Sequence, residues 1–141
     1  MFRENLTQLR KLHNLSQEEL AEKVGVSRQT LSKWETGESV PDIEKCDLLA
    51  QIFDVTLDNL VHFTSPIPEL GVPPRGKHVF GLATMDEDGR IQIPIPAQNV
   101  FLLKPGDRLL VLGDESQGLA LMRESDIFKR LLQPFLPQNG K

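Results

Sequence analysis

Two hydroxyl-capped helices separated by three residues constrain this chain more than any other feature. Ser16-Gln17-Glu18-Glu19 is a reciprocal capping signal, in which the Ser16 hydroxyl accepts from the amide of Glu19 and the Glu19 carboxylate reaches back. Leu20, Ala21 and Val24 then recur at helical spacing. Gly25 supplies the left-handed backbone that ends the helix. Ser27 caps a further helix with Leu31 and Trp34 as its apolar positions, and Gly37 ends it. A turn as short as Gly25-Val26-Ser27 crosses its two helices steeply and leaves the second with a free face.

The surrounding residues supply the rest of a small helical domain. Phe2, Leu6, Leu9 and His13 predict a first helix over residues 2–13. Pro41-Asp42 opens a fourth, with Ile43, Cys46, Leu49, Ala50 and Phe53 expected on one buried face. Thr56 caps a short fifth that holds Leu57 and Leu60. Residues 1–63 are therefore read as an all-α domain of five helices, and residues 64–77, with Pro66, Pro68, Pro73 and Pro74, as a linker of extended backbone.

After the linker the period changes from helical to alternating. Residues 79–85 and 90–96 predict two strands around the turn Asp86-Glu87-Asp88-Gly89, the prolines of the second placing its end at an edge. A short helical piece over 97–103 leads to the turn Lys104-Pro105-Gly106-Asp107. Two more strands are expected over 108–112 and 119–122, with Met85 and Met122 in their core. Ser125 caps a last helix carrying Ile127, Phe128, Leu131 and Leu132, which together with Phe135 and Leu136 are expected to pack on the domain. The second domain thus covers residues 78–133, mainly β with a final helix, and residues 134–141 form a tail.

Function is carried by the helix over residues 28–36. Its free face presents Arg28, Gln29, Ser32 and Lys33, while Leu31 and Trp34 point inward. Such a helix-turn-helix can lay its second helix in a major groove. Arg forms paired hydrogen bonds with guanine and Gln with adenine. Gln17, with Ser16 before it, stands at the start of the preceding helix, where free amides and the positive dipole end suit a phosphate. Net charge opposes this reading: the chain carries −4, and residues 1–64 hold seven basic against eleven acidic side chains. Local field decides phosphate attraction, however, and Glu19, Glu22, Glu44, Asp47, Asp54 and Asp58 lie outside the groove-facing set that Arg28, Lys33, Gln17 and Lys11 occupy.

The run from Leu15-Ser16-Gln17-Glu18-Glu19-Leu20-Ala21 through Val24-Gly25-Val26-Ser27 to Leu31-Ser32-Lys33-Trp34-Glu35-Thr36-Gly37, with Pro41 and Leu49-Ala50, closely resembles the Cro/C1 repressor (XRE) family of λ-repressor-like domains. That resemblance implies phosphate contacts from Ser16 and Gln17, base and flanking contacts from Arg28, Gln29, Ser32 and Lys33, and a structural pair of Arg10 with Glu35. Met85-Asp86-Glu87-Asp88-Gly89-Arg90-Ile91-Gln92-Ile93-Pro94, followed by Leu103-Lys104-Pro105-Gly106-Asp107-Arg108-Leu109, resembles the AbrB/MazE type of swapped-hairpin barrel. It implies a homodimer. About 45 residues with four short strands do not close a core alone, and exchanging hairpins removes open edges. Barrels of that type that bind DNA carry several basic residues, whereas here only Arg90 and Arg108 stand on the matching elements, so dimerisation is the expected role.

Other chemistries find no support. Asp86, Glu87 and Asp88 lack the spacing of a calcium loop, and His13, His62 and His78 lack metal-ligand spacing. No nucleophile–base–acid set occurs, so no catalytic residue, cofactor or metal is expected. The lone Cys46 is expected as an inert buried thiol in a reducing cytoplasm; the first residues carry charge at once, with no apolar stretch of signal-peptide type, and no membrane-spanning segment is expected. The expected function is a dimeric, sequence-specific DNA-binding regulator, a repressor reading an inverted repeat. Its alternatives are an antitoxin-like protein that binds a toxin through its C-terminal part and a regulator that senses a small molecule.

Overall fold

The computed structural model describes residues 1–126 and 133–137. Five helices follow one another at the N-terminus: α1 (Phe2–Leu12), α2 (Gln17–Val24), α3 (Arg28–Thr36), α4 (Ile43–Phe53) and α5 (Leu57–His62). Their ends follow from local chemistry. The Ser16 hydroxyl accepts from the Glu19 amide at 3.0 Å and the Glu19 carboxylate accepts from the Ser16 amide at 3.0 Å, which closes the capping box. Ser27, Asp42 and Thr56 cap α3, α4 and α5 through the amides of Thr30, Lys45 and Asn59. Gly25 ends α2 at φ 80°, a backbone that a side chain with Cβ enters only at a cost.

The core of this unit is built from Leu6, Leu9, Leu20, Ala21, Val24, Leu31, Trp34, Leu49, Ala50, Phe53, Val55, Leu60 and Val72. The helical periods therefore predict the inward faces of α1 to α5 well, with one correction. Ile43, expected inward, is 73% exposed, because as the first residue of α4 it precedes the turn that packs; Cys46 is half-buried. Asn5, a buried polar residue, donates from its side-chain amide to the carbonyls of Asn59, Leu60 and Phe63 at 3.3, 3.1 and 3.0 Å. It thereby fixes the end of α5 to α1, meeting the Leu60 carbonyl near the helix end and the Phe63 carbonyl just beyond it.

The chain divides into two compact units, Met1–Leu82 and Ala83–Lys141. The first includes the segment read from the sequence as a linker. Val72 and Pro73 are buried there, and Val72 belongs to the helical core.

In the second unit α6 (Ile95–Val100) precedes an antiparallel pair, β1 (Leu109–Asp114) and β2 (Gly118–Arg123), in the register Leu110 with Met122 and Leu112 with Ala120. This hairpin is where the second pair of strands was expected. The first pair is not formed. The turn at residues 86–90 is present, with the Asp86 amide donating to the Arg90 carbonyl at 2.9 Å, but residues 79–85 and 91–94 make no strand. Met85, expected in a core, is 64% exposed. Pro94 and Pro96, expected at a strand edge, instead stand before and within the first turn of α6, where a missing N–H is no loss. The helix accordingly starts at Ile95 rather than at 97. Among the described residues of the single chain, no closed barrel is formed. Among the described residues of this unit, Ala97 is the one buried apolar side chain. Short 3₁₀ turns cover Glu124–Asp126 and Gln133–Phe135. The expected helix with Ile127, Phe128, Leu131 and Leu132 falls outside the described residues. Among the described residues, no helix is long and apolar enough to cross a membrane.

Candidate nucleic-acid interface

The turn between α2 and α3 aims the face of α3. Leu31 is fully buried and Trp34 is 4% exposed, so α3 is held by its inner side. On the outer side Arg28, Gln29 and Lys33 are exposed and Ser32 is half-buried. Arg28 and Ser32 are four residues apart, as are Gln29 and Lys33, so the four form one continuous stripe. No acidic residue stands in the first turn of α3. Of the exposed acids of α2, Glu18 and Glu19 lie in that helix's own first turn, where they complement its dipole, and Glu22 follows a turn later.

Ser16 and Gln17 enter the same region from α2. The Ser16 hydroxyl oxygen accepts from Glu19 and keeps its own hydrogen to donate. Gln17 is half-buried and donates from Nε2 to the Glu35 carboxylate at 3.2 Å. That contact was not foreseen from the sequence. It orients the Gln17 amide while leaving its carbonyl oxygen and one N–H for an outside partner.

Glu35 is the anchor of this corner. Its carboxylate receives a two-pronged pair from Arg10, Nε at 2.6 Å and Nη2 at 3.0 Å, with both side chains largely covered. Arg10 donates also to the Leu15 carbonyl at 2.8 Å. The pair implied by the family resemblance is therefore present, and α1, α2 and α3 meet at one carboxylate. Burial pushes the Glu35 carboxyl up. The hydrogen bonds from Arg10, Gln17 and Thr7, together with the Arg10 charge, outweigh it and hold the group below its usual range.

Further contacts that sequence pattern does not signal brace the motif. Arg3 Nη1 donates to the Thr36 carbonyl at 3.0 Å, meeting an open carbonyl at the end of α3. Lys45 Nζ donates to the Val24 carbonyl at 3.0 Å and does the same for α2. The Thr30 hydroxyl lies 2.9 Å from that of Ser27. Lys11, expected near the reading stripe, lines an open cleft with Arg3, Thr7, Glu35 and Thr36. Among the described residues, no group of His, Cys, Asp and Glu is arranged to hold a metal ion.

Two crossed helices, an exposed polar stripe on the second and a braced N-terminus on the first define a helix-turn-helix unit. A family profile described as helix-turn-helix matches residues 6–60. Over 59 residues the chain is 40% identical to the HTH-type transcriptional regulator MJ0272 of Methanocaldococcus jannaschii, covering 42% of this chain and 89% of that one. The chain belongs to the helix-turn-helix family, in agreement with the Cro/C1 (XRE) resemblance of its first 63 residues. It is 47% identical over 60 residues to the HTH-type transcriptional activator BcrR of Enterococcus faecalis, covering 43% of this chain; it spans 29% of that activator's length. A solved structure of SinR, the master regulator for biofilm formation, in complex with DNA, is 32% identical and aligns with a TM-score of 0.41 over 44% of this chain and 100% of that one.

Proposed function

We propose that this protein is a dimeric, sequence-specific DNA-binding transcriptional regulator that reads an inverted-repeat operator with α3. The exposed stripe of Arg28, Gln29, Ser32 and Lys33, set on a helix whose opposite side is locked into the core, carries the proposal. In this reading α3 lies in the major groove, Gln29 and Arg28 meet base edges, and Ser32 and Lys33 meet bases and flanking phosphates. Ser16 donates its hydroxyl hydrogen, and Gln17 its remaining N–H, to a phosphate at the start of α2. An operator that overlaps a promoter would make the protein a repressor.

The second unit serves as the dimerisation element, in the manner of an AbrB/MazE-like swapped hairpin. What supports this is the state of the unit in a single chain. The turn at residues 86–90 is closed, residues 79–85 and 91–94 on either side of it form no strand, and Met85 and Ile91 stand exposed. A two-stranded hairpin with one buried apolar residue beside it is marginal in water. Pairing the arms with those of a second chain would satisfy their backbone groups and cover these side chains.

The test is selection of random duplex DNA by the full-length protein near physiological salt, with Gln29→Ala in parallel. The expected result is an inverted repeat, with preference relaxed at one position of each half-site in the variant and a loss of about 1–3 kcal/mol there. An unchanged preference would remove Gln29 from the reading set, and no enrichment at all would overturn the proposal.

A further inference from the structure

Residues 70–75 are a second place where the chain departs from what its composition suggests. Four prolines between Phe63 and Gly76 read as a tether, yet the last part of that segment is fastened to the helical unit at three points. The Val72 amide donates to Gln8 Oε1 at 3.3 Å, and the Val72 side chain is 6% exposed within the helical core. Gly71 passes so close to α1 that an added Cβ would lie 1.7 Å from Gln8 Nε2 and 2.7 Å from its Cδ. Arg75 closes the run. Its amide donates to the Asp54 carbonyl at 2.8 Å and its Nη2 to the Val55 carbonyl at 2.7 Å, with its Nε 3.7 Å from the Asp54 carboxylate. Asp54 is the left-handed cap of α4, so Arg75 meets backbone oxygens that the end of that helix leaves open.

We propose that Gln8, Gly71, Val72 and Arg75 are positioning residues that set the spacing between the two DNA half-sites the dimer accepts. The inference rests on the dimeric reading above and adds a structural cause for operator geometry. The argument is one of reach. If residues 64–75 were a flexible tether, they would add a variable end-to-end distance of about 19 Å after α5; fastened through Val72 and Arg75, they add no variable length. A shorter path confines each reading unit more closely to its dimerisation element. That raises the effective concentration of the second unit at the matching spacing and lowers it at longer spacings. Base contacts would choose the half-site, and the fastened strap would choose the distance between half-sites.

The experiment uses the full-length protein and duplexes holding two selected half-sites separated by a graded series of spacers. Two variants are compared with the unaltered chain. In Gln8→Ala/Arg75→Ala the strap is released. In the other, six Gly and Ser residues inserted between Lys77 and His78 lengthen the path while the strap stays fastened. Amide hydrogen exchange at Val72 and Arg75 reports the strap directly, without DNA. The expected result is slow exchange at both amides in the unaltered chain, fast exchange at both in the double variant, and slow exchange again in the insertion variant. Both variants should accept a broader range of spacings and lose about two- to fourfold in affinity at the best one. An unmoved spacing profile in the double variant, with its two amides exchanging fast, would overturn the proposal and leave the DNA-reading proposal standing. Fast exchange of both amides in the unaltered chain would overturn it as well. Failure of the unaltered protein to prefer paired half-sites at any spacing would instead overturn the dimeric reading, and this inference with it.

Discussion

Glu35 joins three helices through one carboxylate, and its removal should therefore cost more than a surface charge would. Arg10→Ala leaves that carboxylate covered and without its cation. We expect a loss of about 3 kcal/mol in urea unfolding, at the low end for a buried pair because Arg10 keeps some contact with water. The pH dependence follows from the lowered pKa. Stability from the pair is complete above the ordinary carboxyl value of 4.5 and disappears as pH falls through the lower folded value. The difference between Arg10→Ala and the unaltered protein should therefore be constant near neutrality and shrink below about pH 4.5. A difference that grew in acid would exclude this account. Cys46 makes a contrasting case. Burial first and the Asp42 charge second raise its pKa, so little thiolate exists at neutral pH. Its alkylation by iodoacetamide should be slower than that of an unfolded control.

Caps and ends decide the elements. Ser16→Ala removes one half of the reciprocal capping box and should cost about 1 kcal/mol in thermal or urea unfolding, with Ser27→Ala costing a similar amount at α3. These ends were legible in the sequence because they depend on residues within four positions of each other. So was the face of α3, since Leu31 and Trp34 define it by period alone. Gln17 meeting Glu35, Lys45 reaching Val24 and Arg75 reaching Val55 were not legible, because each joins residues 18 to 21 positions apart through the crossing of helices. Arg10 with Glu35 was foreseen only through the family resemblance. The prolines misled in two ways. Alternation over 90–96 suggested a strand where Pro94 and Pro96 begin α6, and composition suggested a free linker where Gly71 and Val72 pack. A strand also needs a neighbour to pair with, and residues 79–85 and 91–94 form no strand among the described residues.

The two units differ sharply in how much they bury, and this governs the behaviour of the whole molecule. The helical unit has a core of thirteen buried apolar residues, reaching to Val72. The second unit exposes Leu119 at 81% and Val111, Leu121 and Met85 besides. On the dimeric reading, unfolding followed in the helical unit should be independent of protein concentration. The transition of the second unit should move to higher temperature with concentration, as linkage to assembly requires. A concentration-independent transition in both, with sedimentation as a monomer, would count against the swapped hairpin.

The bareness of the second unit bears on how long the chain survives. Exposed apolar side chains such as Met85, Ile91, Val111 and Leu119 are the kind of surface that quality-control proteases engage. On the dimeric reading, covering that surface requires a second chain to be present. A newly made copy would then be short-lived when scarce and persistent once paired, so abundance would climb more steeply than synthesis. The same residues that join two chains would thus act as a meter of how many chains the cell holds.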